Sequence, residues 1–297
     1  MRRLLTGMTV ASLLLLNTLV LIGPLTVLAL LKLILPGKLR AACSAGVVWI
    51  AETWSDIDKF IFALFLPTVW DIRGDTELRM DRSYLMISNH QSWVDIPALM
   101  QAFNRKAPFF KFFLKKELLW VPLLGLAWWA LDYPFMKRYS KAYLAKHPEM
   151  AGKDLLITQQ ACEKFRDLPV SVVNYLEGTR CTPAKQAEQQ SPYRHLLKPK
   201  AGGVAFVLAS LGEQLDAILD ITVFYPGERI PGFWDLLCGR VPKVVVDIQT
   251  LPMDPALWQG DYQNDPQFRV YMQTWISERW AEKDARLSAM KAEQAAA

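Results

Sequence analysis

The sequence predicts an α/β fold with a mostly parallel central sheet flanked by helices, preceded by an N-terminal membrane-anchoring helical segment. Two observations predict it. The first is a run without any charged residue from Leu4 to Leu31. The second is that, after residue 70, short apolar runs typical of buried strands alternate with patterns typical of helices. With 297 residues, the chain is long enough for one large domain or two.

The uncharged N-terminal run is long enough to cross a bilayer. As one helix it measures about 42 Å, against a hydrocarbon core of about 30 Å, so it could span with tilt. Gly23 and Pro24 could instead break it into a kinked or re-entrant pair. Basic residues flank both ends of the run, so the topology stays open. The run is too long for a cleaved signal peptide, and we expect an uncleaved anchor.

The segment from Ala41 to Trp70 mixes aromatic and aliphatic side chains with acids and a lysine. This mixture predicts an amphipathic helix at the membrane interface, with an ordinary core helix as the alternative. Asp71–Gly74 predicts a turn and begins a soluble composition. We therefore expect membrane-anchoring and interfacial helices over residues 1–70 and an α/β domain over residues 71–297.

Apolar and helical patterns alternate along the predicted α/β domain. The predicted strands are Tyr84–Ile87, Phe109–Leu114, Val170–Tyr175, Ala217–Phe224 and Val244–Ile248. The predicted helices are Ile96–Phe103, Gly125–Leu131, Gly152–Phe165, Gly202–Leu211 and Asp265–Met290. Active residues of parallel sheets lie beyond strand ends, so the polar residues after Ile87 and after Tyr175 are the first candidates for a site.

Composition excludes several classes of function. A net charge of +5 is too small and too scattered to indicate nucleic-acid binding, so we expect no nucleic-acid partner. It is compatible with an anionic membrane surface or an anionic substrate. The four cysteines form no Cys-x-x-Cys pair and there are three histidines, so we expect neither a metal site nor a disulfide framework.

His90 follows the first predicted strand, and Asp95 lies five residues later. A neutral imidazole can accept a proton from an alcohol, and a carboxylate on its other nitrogen fixes the tautomer. If residues 91–95 turn into a helix, the two side chains meet locally. There is no Gly-x-Ser-x-Gly elbow, and Ser92 is too close in sequence for a conventional triad. We therefore predict that His90 and Asp95 are catalytic and activate an external hydroxyl.

Two further stretches carry cations that suit a phosphate. The sequence Glu177-Gly178-Thr179-Arg180 ends a predicted strand, where glycine permits an unusual turn and arginine offers a planar fork; an exposed β-turn is the alternative. Upstream, cations interleave with phenylalanines, which indicates either a solvated face or attraction to phosphate and anionic lipid. These cations are Arg105, Lys106, Lys111, Lys115 and Lys116, and a second basic step follows at Lys137 and Arg138.

Two segments receive no site residues. Residues 181–200 are polar and contain three prolines, which predicts a surface loop close to the site that could act as a lid. Residues 278–297 predict a charged helix that frays into an alanine-rich tail, and we assign it no function.

These motifs resemble those of the glycerolipid acyltransferases, the 1-acylglycerol-3-phosphate acyltransferase group. Asn89–Asp95 resembles the family's NHxxxxD motif, and Glu177–Arg180 is its EGTR block. Phe135–Arg138 looks like the second block, which is usually closer to Phe-Ile-x-Arg. Lys115–Leu118 is similar to the Lys-x-Glu-Leu segment, and Val223–Pro226 stands where a fourth block is expected. The resemblance keeps the block order over residues 70–260.

Two residues differ from the usual family blocks, and two short stretches resemble one bacterial subgroup. Met136 and Lys137 differ from the usual second block, which leaves the substrate headgroup open. The stretch 130–139 and the pair Asn264-Asp265 look similar to the bacterial YihG-type acyltransferases.

The resemblance implies a direct mechanism and a set of binding residues. His90 takes the proton from the sn-2 hydroxyl of a lysophospholipid, whose oxygen attacks the thioester of acyl-CoA or acyl carrier protein, while Asp95 orients His90. Arg180 and Lys115 hold the phosphate with Lys137 or Arg138, and Glu177 organises the site or a substrate hydroxyl. The implied substrate-binding residues are Lys115, Lys137, Arg138, Glu177, Gly178, Thr179 and Arg180.

The resemblance also implies a product and a location. It implies acylation of 1-acylglycerol-3-phosphate to phosphatidic acid, with no metal and no cofactor beyond the acyl thioester. The expected partners are the lysophospholipid, the acyl thioester and membrane lipids, and the expected location is the bacterial inner membrane with the catalytic domain facing the cytoplasm. The alternatives are another lysophospholipid, such as lysophosphatidylglycerol, or a non-catalytic membrane-interaction protein; the intact His90 and Asp95 argue against the latter.

Overall fold

The structure is a computed structural model, and it describes residues 1–136 and 168–296. Two long helices come first, α1 (Arg2–Ile34) and α2 (Gly37–Phe65). α1 stays helical through Pro24, so of the two alternatives for the uncharged run the structure has one continuous helix and no break at Gly23-Pro24.

The chain reverses between α1 and α2 at a Pro-Gly step. Leu35 precedes Pro36 and is extended, with φ −89° and ψ 134°, because a residue before proline is sterically disfavoured in the helical region. Gly37 then takes φ +55°, a left-handed conformation that suits glycine. The turn therefore falls where the sequence offers both residues.

Eight strands and six further helices follow in the described chain. The strands are β1 (Val69–Gly74), β2 (Tyr84–Ser88), β3 (Phe110–Phe112), β4 (Leu114–Lys115), β5 (Phe135–Met136), β6 (Ser171–Tyr175), β7 (Ala217–Phe224) and β8 (Lys243–Pro252). The helices are α3 (Asp95–Phe103), α4 (Leu124–Ala130), α5 (Pro183–Glu188), α6 (Ala201–Leu211), α7 (Phe233–Leu237) and α8 (Pro266–Ala296). Short 3₁₀ turns cover Lys116–Trp120, Gly212–Gln214 and Pro255–Leu257.

The main sheet has six strands in the order β1-β8-β7-β2-β6-β3. β2, β3, β6 and β7 run parallel, whereas β8 is antiparallel to β7 and carries β1 parallel to itself. The remaining two, β4 and β5, form a separate parallel ribbon. The predicted mostly parallel sheet flanked by helices is confirmed. Because β2, β6 and β7 are adjacent and parallel, their carboxyl ends meet at one edge of the sheet.

The apolar run of β2 is buried on both faces of this sheet. Tyr84 and Met86 join a core that also contains residues of α1, α2 and α3. Leu85 and Ile87 point the other way, into a core shared with α6 and α8. This explains why the strand is continuously apolar, as strands covered on both sides are.

Three predicted elements differ from the structure or lie outside it. The predicted turn at Asp71–Gly74 is wrong, since these residues complete β1, which is held by its register with Lys243–Ile248. β1 is half-buried without a two-residue period, so its sequence shows no strand pattern. The predicted strand Phe109–Leu114 divides into β3 and β4, and the predicted helix Gly152–Phe165 lies outside the described residues.

The polar segment 181–200 is tied to the domain more closely than a surface loop would be. Thr182 caps α5, its hydroxyl accepting a hydrogen bond from the Lys185 amide at 3.3 Å. Leu196 and Leu197 are fully buried, and the indole of Trp280 on α8 donates to the Leu197 carbonyl at 2.9 Å. α8 packs against the sheet as far as Leu287 and Met290, and residues 291–296 are helical but exposed. The predicted helix is confirmed, and it continues to Ala296 without fraying.

α1 is long and apolar enough to cross a membrane. Many of its apolar side chains are exposed, among them Leu4, Leu5, Met8, Leu15, Leu16, Leu19, Val20, Val27, Leu30, Leu33 and Ile34. Its N-terminal half contacts the α/β domain: Val10 is fully buried in the sheet core, and a Cβ on Gly7 would lie 2.6 Å from the Cys238 sulfur. In α2, Ile61 and Phe62 join the same core.

Candidate active site

The site begins where the side chain of Asn89 extends the pairing of β2 with β7. The Asn89 amide nitrogen donates to the Val223 carbonyl at 2.9 Å, and the Val223 amide donates to the Asn89 side-chain oxygen at 2.9 Å. Asn89 is fully buried, so these two bonds satisfy groups that water does not reach. The side chain replaces one step of backbone pairing and lets the next residue, His90, leave the plane of the sheet.

His90 and Asp95 lie in contact at this edge. The His90 Nδ1 lies 2.7 Å from the Asp95 Oδ2. Asp95 is the first residue of α3 and its side chain is 0% exposed, whereas 16% of the His90 side chain remains exposed. The turn from the end of β2 into α3 therefore brings the two side chains together, with the imidazole on the accessible side.

The Asp95 carboxylate is held by several donors besides His90. Its Oδ2 accepts from the backbone amides of Gln91 at 2.8 Å and Ser92 at 3.0 Å, and its Oδ1 accepts from the Tyr225 hydroxyl. Burial, with Asp95 beside it, raises the pKa of Tyr225 well above the usual tyrosine value, so this hydroxyl keeps its proton and donates. The carboxylate is thereby fixed with one oxygen directed at the imidazole.

Stacking fixes the plane of the His90 ring. The ring lies on Tyr175 with centroids 4.0 Å apart and planes 15° apart, and Tyr175 in turn lies on Phe112 at 5.6 Å. Because Asp95 accepts from Nδ1, the neutral imidazole carries its proton there and presents the lone pair on Nε2. No described residue makes a hydrogen bond to that Nε2, so it is free to receive a proton from a substrate.

Glu177 holds the backbone of His90 from the neighbouring strand. Its Oε1 accepts from the His90 amide at 3.2 Å, and the Cys181 amide donates to the His90 carbonyl at 2.7 Å. Glu177 is 0% exposed, and this burial raises the pKa of its carboxyl to about 8. The structure therefore places Glu177 behind the loop that carries His90, where it positions the backbone.

The other three residues of the EGTR block form an exposed turn. Gly178 takes φ +67°, which suits glycine, and its amide donates to the Tyr175 carbonyl at 2.9 Å. The Thr179 hydroxyl accepts from the Lys185 ammonium at 2.5 Å. Arg180 is exposed, and its guanidinium lies 4.8 Å from the ring centroid of Trp93. The turn thus brings a cation over the loop that carries His90 and Asp95.

Among the other predicted phosphate-binding cations, those that the structure describes make no hydrogen bond or ion pair with His90 or Asp95. Lys115 is exposed on the β4–β5 ribbon, and its side chain makes no hydrogen bond or ion pair with the described part of the chain. Lys111 donates to the Leu131 carbonyl at 2.8 Å, and Arg105 pairs with Glu52 at 3.0 Å. Lys137 and Arg138 lie outside the described residues.

The hydroxyl and thiol groups on the two loops are engaged or buried. Ser92 donates to the Pro231 carbonyl at 2.5 Å and accepts from the Val94 amide at 3.0 Å. Burial raises the pKa of the Cys181 thiol to about 12, which leaves almost no thiolate at neutral pH. Within residues 1–136 and 168–296, no group of three or more His, Cys, Asp and Glu could hold a metal ion. The arrangement can therefore act as a general base toward an external hydroxyl.

Comparison with known proteins identifies the family. The acyltransferase family model matches residues 70–225 of the 297-residue chain. The chain belongs to the acyltransferase family. The match extends from β1 to the residue after β7, so it includes His90, Asp95 and the EGTR block. The predicted membership of the glycerolipid acyltransferases is confirmed; the likeness to the YihG-type subgroup stays a prediction.

Curated relatives of this acyltransferase share about a quarter of its residues. Lysocardiolipin acyltransferase 1 of Danio rerio is 27% identical over 90% of this chain and 65% of its own length. 1-Acyl-sn-glycerol-3-phosphate acyltransferase epsilon of Mus musculus is 25% identical over 68% of this chain and 56% of its own. The chain thus spans less than two thirds of either relative.

A solved structure shares the fold. The crystal structure of the 1-acyl-sn-glycerophosphate (LPA) acyltransferase PlsC from Thermotoga maritima is similar with a TM-score of 0.51 at 17% identity. The similarity covers 94% of this chain and 98% of that chain. It therefore extends beyond the family match, into the long N-terminal helices and α8.

Two contacts of the site could not be predicted from the sequence pattern. The Asn89 side chain bonds to Val223 and the Tyr225 hydroxyl bonds to Asp95, and both contacts join residues more than a hundred positions apart. Tyr225 lies in the segment resembling a fourth block, which was the available hint. The contact itself depends on β7 lying beside β2.

Proposed function

We propose that this chain is a membrane-bound lysophospholipid acyltransferase that transfers a fatty acyl group to the sn-2 hydroxyl of 1-acylglycerol-3-phosphate, giving phosphatidic acid. The observation that carries the proposal is the His90–Asp95 contact with the His90 Nε2 open and no poised nucleophile on either described loop. Such a pair suits an alcohol that comes from the substrate. Relatives named for acyl transfer to lysocardiolipin and to 1-acyl-sn-glycerol-3-phosphate support it.

The reaction follows from the geometry of His90 and Asp95. Nε2 of His90 takes the hydroxyl proton as the substrate oxygen bonds to the thioester carbonyl carbon, while Nδ1–H remains bonded to Asp95. The tetrahedral adduct then collapses and the carbon–sulfur bond breaks. The imidazolium returns its proton to the leaving thiolate, so the products are a diacyl lipid and a free thiol. The donor is the thioester of coenzyme A or of acyl carrier protein.

The anionic acceptor is proposed from Arg180. Its guanidinium is exposed and lies against Trp93, three residues after His90, so it can reach a phosphate attached close to the reacting hydroxyl. Lys115, Lys137 and Arg138 are further phosphate-binding candidates, and their role rests on the family resemblance.

A second acceptor is favoured by the relatives. Lysocardiolipin acyltransferases are among the curated proteins that this chain resembles. A lysophospholipid with a phosphodiester, such as lysophosphatidylglycerol or lysocardiolipin, is therefore the alternative acceptor for the same chemistry. The proposed location is the bacterial inner membrane with the α/β domain on the cytoplasmic side, supported by the apolar helix α1.

A panel of acceptors tests the proposal. The full chain, purified and placed in lipid vesicles, is offered labelled acyl-CoA or acyl carrier protein with lysophosphatidate, lysophosphatidylglycerol or lysocardiolipin, and labelled diacyl product is measured. We expect lysophosphatidate to give the highest kcat/KM. A higher value for a phosphodiester acceptor would support the second acceptor instead, and no product with any acceptor would favour the non-catalytic alternative.

A further inference from the structure

A pair of adjoining cavities lies beside the site, and the reaction as described does not use them. One has a volume of about 170 Å³ and is lined by Gln91, Cys181 and Tyr225 among others; we call it the proximal cavity. The other, of about 240 Å³, includes Ser288 and Ala292 on α8, and we call it the distal cavity. Both share the same three basic residues, Arg194, His195 and Lys291.

The charges of these cavities suit an anion. Arg194 and Lys291 are exposed, and neither forms an ion pair with a described residue. Of the other charged lining residues, Arg229 is paired with Asp235 at 3.0 Å, and Glu228 is the one acid among those described. Two cations without an ion-pair partner among the described residues therefore face a concave surface that holds one acid, Glu228. This excess of positive charge favours phosphate over a neutral ligand.

The backbone that carries these cations is fixed by α8. Asp284 accepts from the Arg194 amide at 2.9 Å and from the His195 amide at 2.7 Å. The His195 Nε2 lies 3.0 Å from the Ser288 hydroxyl, and its Nδ1 lies 3.3 Å from the Lys291 ammonium. Since the ammonium can only donate, His195 accepts with Nδ1 and is neutral, which leaves the remaining ammonium protons for a ligand.

The inner wall of the proximal cavity is the back of the catalytic loop. The Gln91 amide and the Tyr225 hydroxyl both bond to Asp95, and the Cys181 amide bonds to the His90 carbonyl. Yet neither His90 nor Asp95 lines the cavity. An anion held there would lie close to the site but apart from the reacting atoms.

This separation distinguishes the two phosphates of the proposed reaction. The acceptor phosphate is only a few covalent bonds from the sn-2 oxygen, so it must stay near His90 and Arg180. The donor phosphate is separated from its thioester by the long pantetheine arm, which contains two amides. A cation pair set behind the catalytic loop therefore suits the donor.

We propose that the two cavities bind the phosphate end of the pantetheine arm of the acyl thioester donor, with Arg194 and Lys291 contacting the phosphate. Gln91 lines the proximal cavity, and its side-chain oxygen is buried and accepts no hydrogen bond from any described residue. If the side chain turns toward the cavity, this oxygen can accept from an amide N–H of that arm. The inference rests on the proposed function, since it assigns the donor of the same reaction.

The test compares donor and acceptor kinetics in single variants of the full chain. Arg194→Ala and Lys291→Ala each raise the KM for acyl-CoA about tenfold, the loss expected for one charge-assisted contact. The KM for the lysophospholipid stays at the wild-type value. Lys198→Ala is the matched control, because Lys198 is an exposed cation of the same segment that lines neither cavity. A raised KM for the lysophospholipid would assign the cavities to the acceptor, and an unchanged donor KM would remove the phosphate contact; either result overturns the inference.

Direct binding separates this inference from the proposed function. Calorimetry measures the affinity of free coenzyme A and of pantetheine, which lacks phosphate, for the wild type and the two variants. We expect coenzyme A to bind about tenfold more weakly to Arg194→Ala and Lys291→Ala, and pantetheine to bind all three proteins equally. If the wild type binds coenzyme A in this way but acylates no lysophospholipid, the proposed function fails and the donor site stands. Equal coenzyme A binding by all proteins would overturn the donor site.

Discussion

The two loops that form the site are held in different ways. The loop after β2, Asn89–Asp95, is tied by buried bonds to β7, to Glu177 and to its own turn. The turn after β6, Gly178–Arg180, is mostly exposed, and its cation rests on the face of Trp93. The first loop fixes the His90 imidazole beside a buried hydrogen-bond network, whereas the second presents the charge of Arg180 to solvent.

Under the proposed function, this difference separates chemistry, assigned to the first loop, from recognition, assigned to the second. A general base must be held within a fraction of an ångström, and a buried hydrogen-bond network provides that accuracy. A cation that binds the headgroup must contact substrates that arrive from a membrane surface. The side chain of an exposed arginine can change conformation to do so. Changes in the first loop should therefore lower kcat or stability, and changes in the second should raise KM.

Removing the base should have the largest effect. His90→Ala lowers kcat about 10²–10⁴-fold, the usual contribution of general-base catalysis, while vesicle binding and the melting temperature stay near the wild type. Tyr225→Phe is the graded comparison, since it removes one donor to Asp95 and leaves His90 in place. Full activity in His90→Ala would refute the general-base role.

Glu177, which holds the backbone of the first loop, should make the stability of the folded chain depend on pH. Burial raises its pKa from 4.5 to about 8, so across this window the folded chain keeps a proton that the unfolded chain loses. Stability therefore falls as pH rises through the window, by about 4 kcal/mol at most between about pH 5 and 8. Glu177→Gln should flatten this fall in thermal unfolding. Glu213→Gln, at an exposed position, is the control, and parallel curves for wild type and Glu177→Gln would refute the assignment.

Asn89 should matter for stability as much as for rate. Asn89→Ala leaves the amide and the carbonyl of Val223 buried without partners, which should lower the free energy of unfolding by about 2–3 kcal/mol. Ser88→Ala is the matched control at the adjacent position, the last residue of β2. Ser88 donates only to the neighbouring Asn89 carbonyl, and its loss should cost less than about 1 kcal/mol. Equal unfolding midpoints for the two variants in urea would contradict a stabilising role for the two hydrogen bonds between Asn89 and Val223.

The exposed turn should give the smallest effect, and on a different parameter. Arg180→Ala should raise the KM for lysophosphatidate about tenfold with little change in kcat, and Arg180→Lys should recover part of it. Arg79→Ala is the control, because Arg79 is exposed, pairs with Asp81 and precedes β2 at the opposite edge of the sheet. An unchanged KM in Arg180→Ala would place the phosphate elsewhere.

Contacts between residues close in sequence could be predicted from the sequence alone, whereas contacts between distant residues could not. β2 and the His90–Asp95 contact are local: a buried run ends, the chain turns, and five residues later the carboxylate is in place. Periodicity and turn chemistry therefore indicated both. β1 was not predicted because a half-buried edge strand shows no alternation of apolar and polar residues. Its position depends on pairing with β8.

Contacts between residues far apart in sequence could not be predicted either, because they too depend on which elements pack together. Lys283 is fully buried on α8, where it pairs with Asp220 at 2.5 Å, although its neighbours suggested a solvated helix end. The residues around Lys283 in the sequence do not indicate that it pairs with a carboxylate on β7. Arg194 and Lys291 likewise line the same cavities only because α8 packs against the segment before α6. Such sites arise from tertiary packing and cannot be found from spacing.

The central claim is that acyl transfer is direct, with His90 acting on the hydroxyl of the substrate and no side chain carrying the acyl group. The most direct measurement mixes the purified full chain with labelled acyl-CoA in the absence of acceptor. In one sample the protein is then separated and its bound label is counted. In a parallel sample lysophosphatidate is added and the labelled lipid product is measured. The account predicts no label covalently bound to protein, no burst of free thiol, and labelled phosphatidic acid once the acceptor is present. Stoichiometric acylation of the protein before the acceptor is added would contradict it.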